Sequence, residues 1–237
     1  MSFDVVEGEA LATLRGLDDA SVDAIITDPP FSSGGRRENA RSVQRSMTRG
    51  TGDAAWFVGD AMSTNGFLWT MRELGWQARR VLRPGGHLLS FIDWRMAPNL
   101  SAALESADLR QHPVLVWNKT YFGMGSIFRN QHEFIIHMSA GNPTPPQRRD
   151  VGNVIDCKPV RGGVHPTEKP VDLLRKLVSV VCPPGGLVVD PFAGSGATGV
   201  AALREGRRFL GVELSPQYAD VARRRLEEEE RGARRDV

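Results

Sequence analysis

Cysteine is nearly missing from this chain: its 237 residues include two, Cys157 and Cys182. Two isolated thiols make no disulfide framework and have no metal-ligand spacing. No apolar run approaches the length of a membrane span, and the N-terminus lacks a charged-then-apolar leader. A cytoplasmic, soluble protein without a metal is expected. An excess of one charge is missing too. Thirty Lys and Arg against 28 Asp and Glu leave a formal charge of +2, so attraction to a polyanion must come from local clustering. What is present is ordinary globular composition, 41% hydrophobic and 24% charged, suited to one domain over residues 1–237.

Strand and helix patterns alternate along the chain. Phe3 to Glu7, Val22 to Thr27, His87 to Ile92, Val114 to Trp117, Glu133 to Met138, Leu187 to Asp190 and Arg208 to Leu214 read as strands. Helical spacing places Leu11 with Leu14 and Leu17, Phe67 with Met71, Leu74 and Val81, and Val171 with Leu174 and Val181. Small residues from Ala197 and a face through Tyr218, Val221 and Leu226 make two more helices. Ser215-Pro216 is a strong helix start, and Thr167 can cap the helix that follows it. The order helix, proline-glycine-glycine, strand occurs twice, at Pro84-Gly85-Gly86 and Pro184-Gly185-Gly186. It predicts two crossovers of one sheet in an α/β fold, mostly parallel and covered by helices on both faces. Residues 32–66 and the stretch from Ser139 to Val164 lack periodicity. The second reads as loop, and the first is either a functional flap or a solvated loop.

Two turns carry chemistry. Ile25-Ile26-Thr27 runs into Asp28-Pro29-Pro30-Phe31. Adjacent prolines cannot continue a strand ladder, so a carboxylate, the Pro29 carbonyl and the Phe31 ring sit on a stiff turn. Such a turn, at the end of a strand where open α/β sheets bind ligands, offers acceptors to an amino group and a flat face to a heterocycle. Asp-Pro-Pro also occurs as plain loop punctuation. In the second turn, Val188-Val189-Asp190-Pro191-Phe192-Ala193-Gly194-Ser195-Gly196 is a strand entering a glycine turn that opens a helix. Glu213 ends the next strand, where an acid can accept hydrogen bonds from both ribose hydroxyls of a nucleoside cofactor. Gly199 completes a Gly-x-Gly-x-x-Gly pattern, so a dinucleotide competes as ligand. Asp190 beside the turn suits an ammonium better than a pyrophosphate, and S-adenosyl-L-methionine carries an ammonium together with adenosine and a sulfonium. A glycine turn that only permits close packing is the plainer alternative.

These two turns, Glu213, and His165-Pro166-Thr167-Glu168-Lys169-Pro170 together resemble the β group of DNA amino-methyltransferases, from Phe3 to Leu226. The resemblance implies a Rossmann-like seven-stranded sheet with one antiparallel strand, and S-adenosyl-L-methionine as cofactor. It implies that Asp28, Pro29, Pro30 and Phe31 are catalytic, Phe31 as the platform for a flipped base. Asp28, Asp190, Pro191, Phe192, Ala193, Gly194, Ser195, Gly196, Glu213 and Leu214 would shape the cofactor pocket. Glu9 and Ala10 fall where the family usually has an aspartate near adenine, and His165, Thr167 and Lys169 would lie near the methionine portion. Arg36, Arg37, Arg41, Arg45 and Arg49 of the flap, with Arg129, are expected to grip DNA phosphates, and residues 121–164 to read the target. Double-stranded DNA, a cognate restriction endonuclease and a second copy of the chain are the expected partners.

Ring-carbon methylation of cytosine would need a nucleophilic cysteine, and neither cysteine has that context. An aspartate opening the Pro-Pro-Phe turn resembles the adenine-N6 enzymes more than the cytosine-N4 enzymes. The competing readings are a cytosine-N4 enzyme, an RNA or protein-glutamine methyltransferase, and a non-catalytic DNA-binding module.

Overall fold

Six consecutive buried residues, Val22–Thr27, form β2. A strand apolar on both faces belongs inside a parallel sheet covered by helices on each side. The computed structural model, which describes residues 2–30, 63–123, 125, 127–160 and 168–233, places it there. In chain order the elements are β1 (Phe3–Glu7), α1 (Ala10–Arg15), β2, α2 (Thr64–Val81), β3 (Leu82–Ile92), α3 (Ala97–Glu105), β4 (Arg110–Gln111), β5 (Leu115–Asn118), β6 (His132–Ser139), β7 (Val154–Asp156), α4 (Val171–Val181), β8 (Leu187–Asp190), α5 (Ala197–Arg204), β9 (Arg208–Glu213) and α6 (Pro216–Ala233).

The sheet runs β1-β9-β8-β2-β3-β6-β5-β7, with β4 paired to β6 off this path. Among the described strands only β6 is reversed: it is antiparallel to β3, β4 and β5, and the remaining pairs are parallel. Setting aside the two-residue β4 and the three-residue β7 leaves seven longer strands among those described. Alternate residues of β2 face opposite ways. Ala24 and Ile26 pack with Leu89, Val188, Phe209 and helices α4 to α6, whereas Ile25 packs with Leu88, Val189 and helices α1 to α3.

The two proline-glycine-glycine turns belong to crossovers of one sheet, as the sequence predicts, and lead into the two neighbours of β2, β3 and β8. The carboxylate of Asp23 ties both crossovers: it accepts from Leu187 N at 2.7 Å and from Arg83 at 3.1 Å. The first turn is not a clean boundary, however. The register passes from Val22–Leu82 to Ala24–His87, so the strand expected from His87 begins at Leu82 and absorbs Pro84-Gly85-Gly86 as a bulge. The stretch read as loop after Ser139 contains β7, whose three residues pair with β5 and are too few to show a period. Thr167 lies outside the described residues, and the residue at the N-cap of α4 is Pro170, with no side-chain bond. Of the expected flap, residues 32–62 lie outside the described residues, including all five of its arginines. Its end is helical: Ser63 Oγ caps α2 by accepting from Gly66 N at 3.1 Å. Among the described residues no helix is long and apolar enough to cross a membrane.

Gly199 shows how tightly the cofactor-side helix seats. A Cβ there would lie 2.6 Å from Phe209 Cδ1 and 2.7 Å from Leu226 Cδ2, so α5 reaches β9 and α6 only because this side chain is absent. Gly199→Ala is expected to lower stability by about 1–3 kcal/mol, read as a lower urea midpoint at unchanged m-value.

Candidate active site

Four neighbouring parallel strands end at one edge of the sheet, and each delivers a candidate residue there. Glu9 follows β1, Glu213 ends β9, the Asp190–Gly196 turn leaves β8, and Asp28 leaves β2. Strand spacing is roughly 4.8 Å, so these ends span roughly 14 Å, room for a nucleoside with an amino-acid arm. This edge is also where the connections diverge to the two faces of the sheet, the place such folds use for ligands.

The glycine turn is held from inside. Asp190, 3% exposed, accepts at Oδ1 from Thr27 Oγ1 (2.7 Å) and Phe192 N (3.1 Å), and at Oδ2 from Thr198 Oγ1 (2.7 Å). Both oxygens are therefore engaged within the protein. Asp190 clamps the turn to β2 and α5. Burial pushes its pKa up to about 6 against the three hydrogen bonds. The folded value lies above the unfolded one, so Asp190 contributes stability that is fully present below pH 3.8 and lost as pH rises through about 6. The wild-type advantage over Asp190→Asn in urea unfolding should thus be larger at pH 4 than at pH 7, by up to about 3 kcal/mol.

Gly194 and Gly196 adopt φ of 52° and 81°, left-handed values that favour glycine, and no side chain stands between the turn's backbone and a ligand. Glu213 fixes this rim. Its Oε2 accepts from Gly194 N at 2.9 Å and its Oε1 from Ser215 N at 2.8 Å, while its carbonyl accepts from Gly8 N at 3.0 Å. Each carboxylate oxygen keeps a second lone pair for a ribose hydroxyl. Glu9 caps α1, accepting from Leu11 N (2.9 Å) and Ala12 N (2.7 Å), and Ala10 is buried behind it. Pro191, Ala193 and Ser195 are buried and Phe192 half-buried, whereas Leu214 is exposed beside Glu213. A rigid acid, a bare glycine turn and apolar neighbours at the rim fit a nucleoside cofactor.

Asp28 lies beyond β2, with Pro29 buried behind it. Its Oδ2 accepts from Lys169 Nζ at 2.6 Å. Lys169 is itself buried and lies 3.4 Å from Glu133 Oε2 on β6, and Glu133 Oε1 accepts from Lys119 Nζ at 2.6 Å. The other Asp28 oxygen, Oδ1, is buried and has no hydrogen-bond partner among the described residues. Burial pushes the Asp28 carboxyl above its usual range despite Lys169. Burial alone would raise Glu133 as well, but the two lysines hold it below the usual range. Burial disfavours the Lys169 ammonium, yet Asp28 and Glu133 outweigh it and raise its pKa. Lys169 is therefore a fixed cation between two acids.

The motif around Lys169 joins the halves of the site. Lys169 reaches Asp28, while the preceding Glu168 accepts from Ser195 Oγ (3.3 Å) in the glycine turn and pairs with Arg225 of α6 (2.8 Å). His165, Thr167 and Phe31 lie outside the described residues. Arg129 donates to Gly123 O of its own hairpin at 2.9 Å. Sequence reading missed Glu133, Lys119, Thr27 and Glu168. An acid within β6, immediately before the run Phe134 to Met138, was the available signal for Glu133. Neither thiol is poised as a nucleophile: burial pushes Cys182 up to about 12 and raises Cys157.

Known proteins share this fold and sequence pattern. The family profile for N6/N4 DNA methylases matches residues 22–224. YubD of Escherichia coli (strain K12), named as a methylase, is 31% identical over 93% of this chain and 88% of its own length. The DNA adenine methyltransferase YhdJ of the same organism is 26% identical over 94% of this chain and 82% of its own. The fold matches TTHA0409 of Thermus thermophilus, described as a DNA modification methylase and solved with S-adenosyl-L-methionine. That match has a TM-score of 0.70 and 24% identity, and covers 96% of this chain and 94% of that one. A profile spanning the Asp28 turn, the Glu133–Lys169 network and the glycine turn leaves one assignment: this chain belongs to the N6/N4 DNA methylase family, S-adenosylmethionine-dependent enzymes that methylate an exocyclic amino group of a DNA base.

Proposed function

We propose that the base is adenine, that the reacting atom is its N6, and that Asp28 readies it. The observation that carries this reading is the buried Asp28 Oδ1, which has no hydrogen-bond partner among the described residues, since a buried acceptor without a donor is a site awaiting one. An exocyclic amino nitrogen gives its lone pair to the ring and is a poor nucleophile. With one N–H donated to Asp28 Oδ1 and the other to the Pro29 carbonyl, the nitrogen leaves the ring plane and its pair is freed. S-adenosylmethionine supplies a methyl on positively charged sulfur, which keeps the carbon–sulfur pair when the carbon–nitrogen bond forms. The nitrogen then sheds one proton, and Asp28, its basicity raised by burial, is placed to take it. Lys169 and Glu133 position that carboxylate, and Phe31 stacks the flipped base. The acceleration comes from orientation and a fixed electrostatic site.

Glu213 and Glu9 would hold the ribose and adenine of the cofactor, Leu214 and Phe192 its flat faces, Gly194 to Gly196 its arm, and His165, Thr167 and Lys169 the methionine end. Around this centre the proposal places one cytoplasmic catalytic domain over 1–237, with the flap arginines on phosphates and target reading within 121–164. It includes a companion restriction endonuclease and a dimer of the chain as partners. Adenine is favoured over cytosine N4 by the aspartate that opens the turn, and YhdJ is named for adenine. Single-molecule sequencing of DNA from cells expressing the chain reads base and context together. Signal at adenine within one short motif is expected, and signal at cytosine alone would replace the adenine assignment with cytosine N4.

A further inference from the structure

We infer that the Ile127–Phe128 tip of the β5–β6 hairpin is an apolar wedge that enters the base stack of duplex DNA as the target base swings to Asp28. The inference rests on the amino-methyltransferase reading of the site. β5 ends, and the reversed β6 begins, at the sheet edge that carries Asp28. Trp117 pairs with Glu133 and Asn118 with His132, so the hairpin rises directly from the Glu133–Lys169–Asp28 network. Its stem is stiff. Lys119 N donates to Gln131 O (2.8 Å), Gly123 N to Asn130 O (2.6 Å), Arg129 Nε to Gly123 O (2.9 Å) and Gln131 Nε2 to the Asn118 side chain (2.9 Å).

The top of this stem presents the most exposed large apolar side chains described. Ile127 is 86% and Phe128 89% exposed, with Phe122 at 62% beside them. Neither Ile127 nor Phe128 adds to the core, so their place on a braced hairpin needs another occupant. Arg129 stacks over the Phe122 ring at 5.8 Å and has no carboxylate partner among the described residues, so a positive charge stands next to the apolar tip. That combination suits a polyanion with an apolar interior, which is a base stack between phosphate chains. Apolar side chains inserted between base steps are a general way to unstack and hold them. Phe128 is five residues from Glu133, and since β6 begins only at His132 the chain between them reaches at most roughly 16 Å, comparable with the major-groove width of about 12 Å. One hairpin can thus reach from the extruded base toward the gap it leaves.

The test uses the full-length double variant Ile127→Ser, Phe128→Ser, whose exposed positions leave the core untouched, with labelled S-adenosylmethionine. The substrates are a matched duplex carrying the target, the same duplex mismatched at the target base, and the single strand. A wedge matters most where extrusion costs most. The variant should lose transfer on the matched duplex by roughly tenfold or more and come within about twofold of wild type on the other two. Equal loss on all three, or no loss on any, would overturn the wedge while wild-type activity on the duplex keeps the methyltransferase reading. Equal loss accompanied by a dimer-to-monomer shift in sedimentation would assign the tip to self-association. Wild-type protein inactive on every DNA would overturn the underlying reading and the wedge with it.

Discussion

Asp28→Ala should transfer methyl groups slower than wild type by roughly 10²–10³-fold or more, since one preorganised charged contact to the reacting group is lost. The geometry makes the loss catalytic first. Asp28 Oδ1 contributes no hydrogen bond within the described protein, and Lys169 keeps Glu133 as a partner when Oδ2 is gone. Glu213, proposed to hold the ribose, lies two strands away across β8, so cofactor affinity is expected to change by much less than turnover. Asp28→Asn preserves size but replaces the carboxylate with an amide that turns an N–H toward either Lys169 or the substrate. It should be nearly as slow. Turnover from labelled cofactor, set beside cofactor binding by calorimetry, separates the two effects.

Lys169→Met should damage both stability and chemistry. It leaves the half-buried Asp28 and Glu133 near each other without the cation that lies 2.6 Å from one and 3.4 Å from the other. Removing one partner from a buried ionic cluster costs about 3–5 kcal/mol, and Lys119 beside Glu133 places this case toward the lower end. The pH dependence has a definite sign. The raised pKa of Lys169 contributes stability that is present below 10.5 and lost as pH rises through its folded value. The lowered pKa of Glu133 contributes stability that is present above 4.5 and lost as pH falls through its folded value. The deficit of Lys169→Met in urea unfolding should therefore be largest near neutrality and shrink toward pH 4, where the stranded carboxyls protonate. With burial and Glu133 still raising Asp28 and Lys169 no longer lowering it, the acid limb of the turnover profile should move to higher pH. A profile that stays in place would show that Lys169 is not coupled to Asp28.

Much of the sheet was legible because its central strands are local signals. Val22 to Thr27 and Leu187 to Asp190 are apolar runs cut by a turn, and both boundaries match. β7 was not legible, since three residues make a strand only by pairing with β5. The site divides in the same way. Asp28, Gly194 and Glu213 stand at turns that chain chemistry alone marks out. Thr27 bonds Asp190 across 163 residues, and Lys169 reaches Asp28 across 141. Such contacts exist only once β8 lies beside β2 and the segment before α4 folds over both. Asp190 looked ligand-facing because an acid next to a glycine turn has no local partner in the sequence, and its partners Thr27 and Thr198 come from other elements. Glu133 was hidden for the converse reason, as one acid in a strand whose apolar residues set the pattern.

The central claim is that Asp28 and the glycine turn form one site that methylates a DNA amino group. Purified wild-type chain and Asp28→Ala, each incubated with duplex DNA and labelled S-adenosylmethionine, followed by nucleoside digestion and mass spectrometry, test it most directly. Label in N6-methyladenine with wild type, and its loss with Asp28→Ala at retained cofactor binding, is the predicted result. Label in 5-methylcytosine, or undiminished transfer by Asp28→Ala, would contradict it.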